Sequence, residues 1–173
     1  MDVNAFQWGW QFHYAGQGVT VTGETVSDPD PVGLNGQPCA PADYCLGPGL
    51  VLPVGQSVLV NLRSKDTVHG FYVPQFNFSR YAQPGILNQF QLTPKHAGIF
   101  RAQCTQFCGL YHSEMFFHVV ALPPSQFRAW LASERTASNN SNGARAPLNP
   151  QTSTPIPTTP NSTGNTSTNG GTK

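Results

Sequence analysis

The sequence predicts an all-β domain, an antiparallel sandwich or barrel closed by one short C-terminal helix and followed by a disordered tail. Three observations lead there. The runs rich in β-branched and aromatic residues are short: Val58-Leu59-Val60-Asn61-Leu62, Phe71-Tyr72-Val73 and Phe116-Phe117-His118-Val119-Val120. Turn chemistry bounds them, as in Pro53-Val54-Gly55, Gln83-Pro84-Gly85 and Pro94-Lys95-His96-Ala97-Gly98. A helical apolar period is almost missing. Many short strands with Gly and Pro punctuation are the pattern of sandwiches and barrels.

In chain order, the first element is the strand-like VNAFQWGWQFHY. Trp8 and Trp10 alternate there with Gly9 and Gln11, so in a strand both share one face. The three runs above supply further strands. After Pro123-Pro124, Ser125 is the expected N-cap of a helix over QFRAWLASER, with Phe127, Trp130 and Leu131 on one face. Composition then shifts near Ala137. From Ser138 to Lys173 there is no aromatic residue and no Cys, and the large aliphatics are Leu148 and Ile156. Such a stretch cannot bury enough apolar surface to offset the entropy of ordering it. The working domain is therefore residues 1 to about 136, and 137–173 a disordered Asn/Ser/Thr/Pro-rich tail.

Composition narrows the function classes. A chain of 173 residues holds one domain of ordinary size with some excess. Net charge is +1 and 10% of residues are charged, which argues against a nucleic-acid surface. No apolar run approaches the ~18 residues that span a bilayer, and no signal peptide opens the chain. The expectation is a cytosolic protein or a soluble piece of a longer one.

The informative stretch is AQCTQFCGLYHSEM, which places Cys104, Cys108, His112 and Met115 within twelve residues. On a helix Cys104 and His112 would stand ~12 Å apart along the axis, too far for one compact site, and Gly109 disfavours a helix interior. A loop between two strands lets these side chains converge. Any one of them alone reads as a buried core residue or half of a disulfide; the four together read as a metal site. Two thiols, an imidazole and a thioether form a soft set that suits copper. Zinc accepts Cys and His but rarely Met, and CxxxC differs from the commoner CxxC of zinc ribbons.

A mononuclear electron-transfer copper needs one Cys, two His and a weak axial Met, so this loop holds one Cys too many. Two thiolates bridging two copper ions account for the surplus. Each copper then takes both sulfurs, one His and one weaker donor. Met115 supplies one such donor, and a backbone carbonyl in the loop, best that of Gln106, the other. The second His comes from elsewhere. The candidates are His13, His69, His96 and His118; His118 is carried away along a strand and His96 sits in an exposed turn. His69, in a loop feeding a strand, is the choice.

These residues resemble a known family. Cys104-x3-Cys108-Gly109-x2-His112-x2-Met115 resembles the dinuclear copper (CuA) loop of subunit II of haem-copper cytochrome c oxidases. DTVHGFYVPQFNF and PGILNQFQLTPKHAGIFRAQC are similar to the family's first-His segment and the strands after it, and FQWGWQFHY to its aromatic stretch after the membrane hairpin. The resemblance covers about residues 4–122. It implies a cupredoxin-type Greek-key β-barrel, the soluble domain of a subunit anchored by N-terminal membrane helices absent from this sequence, on the extracytoplasmic (periplasmic) face of a respiratory membrane. His69 and His112 then match the imidazole ligands, Cys104 and Cys108 the bridging thiolates, Met115 an axial ligand and Gln106 the carbonyl donor. Most members have Glu where Gln106 stands, and its side chain helps to bind magnesium. A neutral amide is a poorer ligand for a hard cation, which argues against magnesium here.

Trp8 resembles the tryptophan through which electrons enter from cytochrome c; the alternative is an ordinary sheet aromatic. Two departures stand out. An insertion of about residues 24–49 carries Cys39 and Cys45, which an oxidising compartment favours as a disulfide closing a short loop. It also holds Glu24, Asp28, Asp30 and Asp43, half of the eight acidic residues, as a docking edge or a solvated loop. The long tail is the second departure. The implied function is a one-electron relay from cytochrome c or a similar haem donor to a haem of subunit I, with oxygen reduction left to that partner. Alternatives are the electron-transfer domain of nitrous oxide reductase, a mononuclear copper-binding or assembly protein, and a structural zinc domain.

Overall fold

A computed structural model describes residues 1–24 and 49–140. The predicted insertion between its two strand ends, with Cys39 and Cys45 and their predicted disulfide, lies outside the described residues, as does the tail from 141 onward. Among the described residues ten strands form two five-stranded sheets. The strands are β1 (Asp2–Phe6), β2 (Gly9–Tyr14), β3 (Val19–Glu24), β4 (Gly49–Pro53), β5 (Val58–Ser64), β6 (His69–Val73), β7 (Phe78–Ala82), β8 (Asn88–Leu92), β9 (Gly98–Cys104) and β10 (Phe116–Leu122). One sheet runs β3-β2-β1-β5-β8 and the other β4-β10-β9-β6-β7. This is the cupredoxin-type sandwich, or half-barrel, that the resemblance implies.

The sheets are mixed where an antiparallel arrangement was expected: β1 pairs parallel with β5, and β4 with β10. Local sequence does not reveal such pairings, because the partners are far apart in the chain and need crossovers. The alternating burial of β1 and β2 turns Val3, Ala5, Trp10 and Phe12 onto a core shared with Phe71 and Phe117. The rings of Phe71 and Phe117 lie 4.9 Å apart, and Trp10 and Phe117 4.8 Å apart, separations at which aromatic pairs attract beyond simple burial.

β4 is buried on both faces, at every position. Helix α1 (Pro124–Asn140) supplies the outer cover, lying against β3, β4 and β10. Trp130 and Leu131 are buried and Phe127 half-buried. Trp130 packs edge-on against Tyr14 at 5.1 Å, and the Tyr14 hydroxyl donates to Val51 O at 3.0 Å while accepting from the Val51 N–H at 2.7 Å. The apolar face is the one expected, but the start is not. Pro124 is already helical and the Phe127 N–H bonds to Pro123 O, so Ser125 lies inside the first turn rather than capping it. Proline suits that first position because its missing N–H would have no intrahelical partner.

The opening segment is likewise not one strand. It breaks at Gln7-Trp8 into the β1–β2 hairpin, with Phe6 opposite Gly9. Trp10 points into the core while Trp8 sits at the turn, half-buried, so the two do not share a strand face.

Candidate metal centre

Three adjacent strands deliver the site. In β9, Cys104 stands opposite Phe71 of β6, which places His69, at the start of β6, at the same end of the sheet. On the other side β10 begins at Phe116, opposite Gln103, so Met115 returns beside Cys104. The Cys104 N–H donates to Met115 O at 2.9 Å, closing the loop at its neck. Within the loop a short 3-10 turn over His112–Glu114 brings His112 back over the sulfurs.

The predicted donors converge. The Sγ atoms of Cys104 and Cys108 are 3.8 Å apart, and neither is in a disulfide. His69 Nδ1 lies 4.0 Å from Cys104 Sγ, His112 Nδ1 3.4 Å from Cys108 Sγ, and Met115 Sδ 3.7 Å from Cys108 Sγ. The Gln106 carbonyl oxygen is 3.2 Å from Cys104 Sγ. Relative exposure is 0% for His69, 6% for Cys104, 3% for Cys108 and 1% for Met115, so four of the donors sit out of solvent. The donor atoms of His69, Cys104 and Cys108 all lie within 4.8 Å of one another, a span that one ion or a close pair can bridge. His118 is buried within β10, and His13 and His96 lie elsewhere, His13 bonded to Thr20 and His96 lining a cleft together with Gln75, Phe76 and Phe100.

Trp8 touches the same loop. Its indole N–H donates to Cys108 O at 3.2 Å, and its ring meets Tyr111 edge-on at 4.9 Å. Around it the loop raises an apolar crown, with Phe107 75%, Leu110 78% and Tyr111 45% exposed.

Asp66, Gly70 and Gln7 belong to the site although sequence reasoning did not single them out, and Gly109, read there only as a helix breaker and a motif position, has a steric role as well. Asp66 Oδ1 is 2.8 Å from His69 Nε2. An ionised carboxylate only accepts, so Nε2 carries the proton and the lone pair of Nδ1 is left facing the sulfurs. Gly70 lets the loop lie on β6: a Cβ there would overlap Thr105 Oγ1 and stand 2.9 Å from the backbone nitrogens of Thr105 and Gln106. Gly109 has φ +118°, and a Cβ there would come within 3.0 Å of the Trp8 ring. The signals were present: an Asp three residues before the chosen His, and a Gly directly after it.

The electrostatics are asymmetric. Burial opposes ionisation of Cys104, but its contact with His69 and the Gly70 N–H (3.4 Å from Sγ) outweigh that and hold its thiol below the ordinary range. Burial, reinforced by the neighbouring Cys104 charge, pushes the Cys108 thiol up to about 12. His69 is disfavoured as a cation by burial, yet Cys104 and Asp66 raise it above its usual value. Asp66 is held low, since the bonds from His69 and from the Gln7 and Thr67 N–H groups exceed its own burial cost. Soft sulfur and imidazole, desolvated and pre-gathered, fit copper better than a hard cation.

Fold and site together define a cupredoxin-type domain with a copper-site-like cluster of His, Cys and Met at one end of the sandwich. The chain belongs to the cytochrome c oxidase subunit II periplasmic domain family, whose model matches residues 1–122. That assignment places it on the extracytoplasmic side of the membrane. It is 34% identical over 141 residues to the alternative cytochrome c oxidase subunit 2 of Bradyrhizobium diazoefficiens, covering 79% of this chain and 51% of that protein. It is 32% identical over 151 residues to the probable cytochrome c oxidase subunit 2 of Streptomyces avermitilis, covering 76% and 47%. Among solved structures, the periplasmic domain of subunit II of cytochrome oxidase of Bradyrhizobium japonicum superposes with TM-score 0.65 at 24% identity, over 78% of this chain and 91% of that one. The chain spans about half the length of the curated relatives it matches. No helix among the described residues is long and apolar enough to cross a membrane.

Proposed function

We propose that this domain is the electron-entry module of a haem-copper oxidase. A dinuclear copper centre would be held by His69, Cys104, the Gln106 carbonyl, Cys108, His112 and Met115. Bound there, the copper pair supplies a one-electron couple. The observation that carries this reading is the pair of free thiols 3.8 Å apart with an imidazole on each side. One copper needs only one of those sulfurs.

The chain's own residues do the rest. Cys104 and Cys108 would offer sulfur to both halves of a shared centre, and the neck bond from Cys104 to Met115 fixes the loop ends to the sheet. Phe71 and Phe117 in the core behind, with the loop wrapped in front, exclude water and hold the donors in one geometry, so little need rearrange when an electron arrives. Asp66 orients His69.

Exposed apolar residues gather at this end. Beside Trp8 stand Phe107, Leu110 and Tyr111, a surface suited to a cytochrome c or similar haem donor, with Trp8 as the point of entry. Ile86 and Leu87 are also exposed, and Asn88 opposite Leu62 puts their connection at the same end. That second surface suits subunit I, whose haem would receive the electron on the His112 side. Anchoring would come from N-terminal membrane helices, as the family resemblance implies.

Loading the purified domain with copper, counting metal per chain and recording its electron paramagnetic resonance spectrum tests the reading. The expected result is two coppers with hyperfine splitting shared by both nuclei. One copper with splitting from a single nucleus would replace it with a mononuclear binding or assembly role.

A further inference from the structure

Gln7, in the β1–β2 turn, touches both arms of the site. Its backbone N–H donates to Asp66 Oδ2 at 2.6 Å, and the other oxygen of Asp66 holds His69 Nε2 at 2.8 Å. Its side-chain Nε2 donates to Cys108 O at 2.8 Å, across 101 positions of sequence. Asp66 belongs to the connection that leads into His69, and Cys108 to the loop after β9. Gln7 thus ties together two ligand-bearing segments.

We propose that Gln7 is a positioning residue that clamps the Cys108 peptide, so that the protein itself, ahead of any metal, sets where the Cys108 sulfur stands relative to the His69 arm. The proposal rests on the copper reading above. The need for a clamp follows from the next residue. Gly109, at φ +118°, has no side chain to restrict its backbone, so the Cys108–Gly109 peptide is poorly restrained by its own torsions. Substituting Gly109 cannot supply the restraint, since a Cβ would meet Trp8 at 3.0 Å and Gln7 Nε2 at 3.1 Å. The restraint has to come from outside the loop, and the carboxamide of Gln7 is placed to give it. The Trp8 indole N–H shares the same carbonyl oxygen at 3.2 Å, filling its second lone pair. Loss of the Gln7 bond therefore leaves that acceptor still partnered, and the effect falls on geometry more than on folding.

Gln7→Met keeps the length and removes the donor; Gln7→Glu sets a carboxylate against the Cys108 carbonyl. Gln91→Met, at a partner of Ser57 on β8, is the control. Three quantities are read on the isolated domain: copper release to a chelator, the hyperfine pattern, and amide hydrogen exchange of residues 107–109 without metal. We expect Gln7→Met to release copper about tenfold faster, the lower end for loss of a group that orients a ligand. Gln7→Glu should exceed it, and both should raise metal-free exchange at 107–109, with melting temperature close to the parent. Parental release, spectrum and exchange in both Gln7 variants would overturn the clamp. The metal-free exchange separates the two readings. If the parent domain fails to take two coppers while exchange still rises in Gln7→Met, the clamp stands and the dinuclear reading falls.

Discussion

At the residue scale, the two thiols are not equivalent before metal arrives. Cys104 accepts the Gly70 N–H and faces His69, while Cys108 is pushed up to about 12 and faces His112 and Met115. Cys104→Ser should abolish the two-nucleus hyperfine pattern expected of the proposed centre, since one of the two bridging sulfurs would be gone; a retained pattern would refute the bridging role. Met115→Leu preserves volume and removes only the thioether, so the pair should assemble with a shifted reduction potential, read by redox titration. Gly70→Ala should destabilise by about 1–3 kcal/mol in denaturant unfolding, because the backbone nitrogens of Thr105 and Gln106, 2.9 Å from the added Cβ, cannot move aside. The spacing Cys104, Cys108, His112, Met115 made the loop legible from sequence, because all four lie in one segment. Gln7 was not legible, because its partner Cys108 is 101 residues away and nothing near Gln7 announces it.

At the element scale, the site depends on strands more than on its own loop. β6, β9 and β10 are neighbours in one sheet, and their register alone brings His69, Cys104 and Met115 to one end. Helix α1 packs against β3, β4 and β10, none of which carries one of these donors. Trp130→Ala should therefore cost about 3–5 kcal/mol of stability, measured by denaturant unfolding, while the spectrum of the copper-loaded protein stays unchanged. A spectral change would mean that the outer layer is coupled to the site. The strand runs and the apolar face of α1 could be read from pattern, since burial imposes a period. The parallel pairs β1–β5 and β4–β10 could not, since parallel partners are set by crossovers rather than by adjacent turns. The Trp8 and Trp10 faces were misjudged because a hairpin turn interrupts their alternation at Gln7-Trp8.

At the scale of the whole molecule, charge is sparse and the end that carries the site is apolar. With net charge +1 and an apolar crown of Phe107, Leu110 and Tyr111, capture of a haem donor should depend only weakly on ionic strength. Stopped-flow electron transfer across a salt series checks this; a steep slope would bring the acidic residues of the 24–49 segment into the encounter. The same domain, copper-loaded and supplied with reduced donor, should accept electrons and consume no oxygen, as an oxygen electrode would record.

The parallel pairing of β4 with β10 bears also on how the molecule is made. Gly49 meets His118, a separation of 69 residues (118 − 49), and every donor from His69 to Met115 falls within that interval. Topologies ruled by such distant pairings fold in about milliseconds to seconds. Until β10 pairs with β9, the neck bond from Cys104 to Met115 cannot form and the cover over both sulfurs is incomplete. An extracytoplasmic space oxidises exposed thiols, and two cysteines four positions apart are well placed to join. The frame that hides both sulfurs gives them less shelter while it is being assembled, so keeping them reduced until a metal arrives would fall to the chain's surroundings.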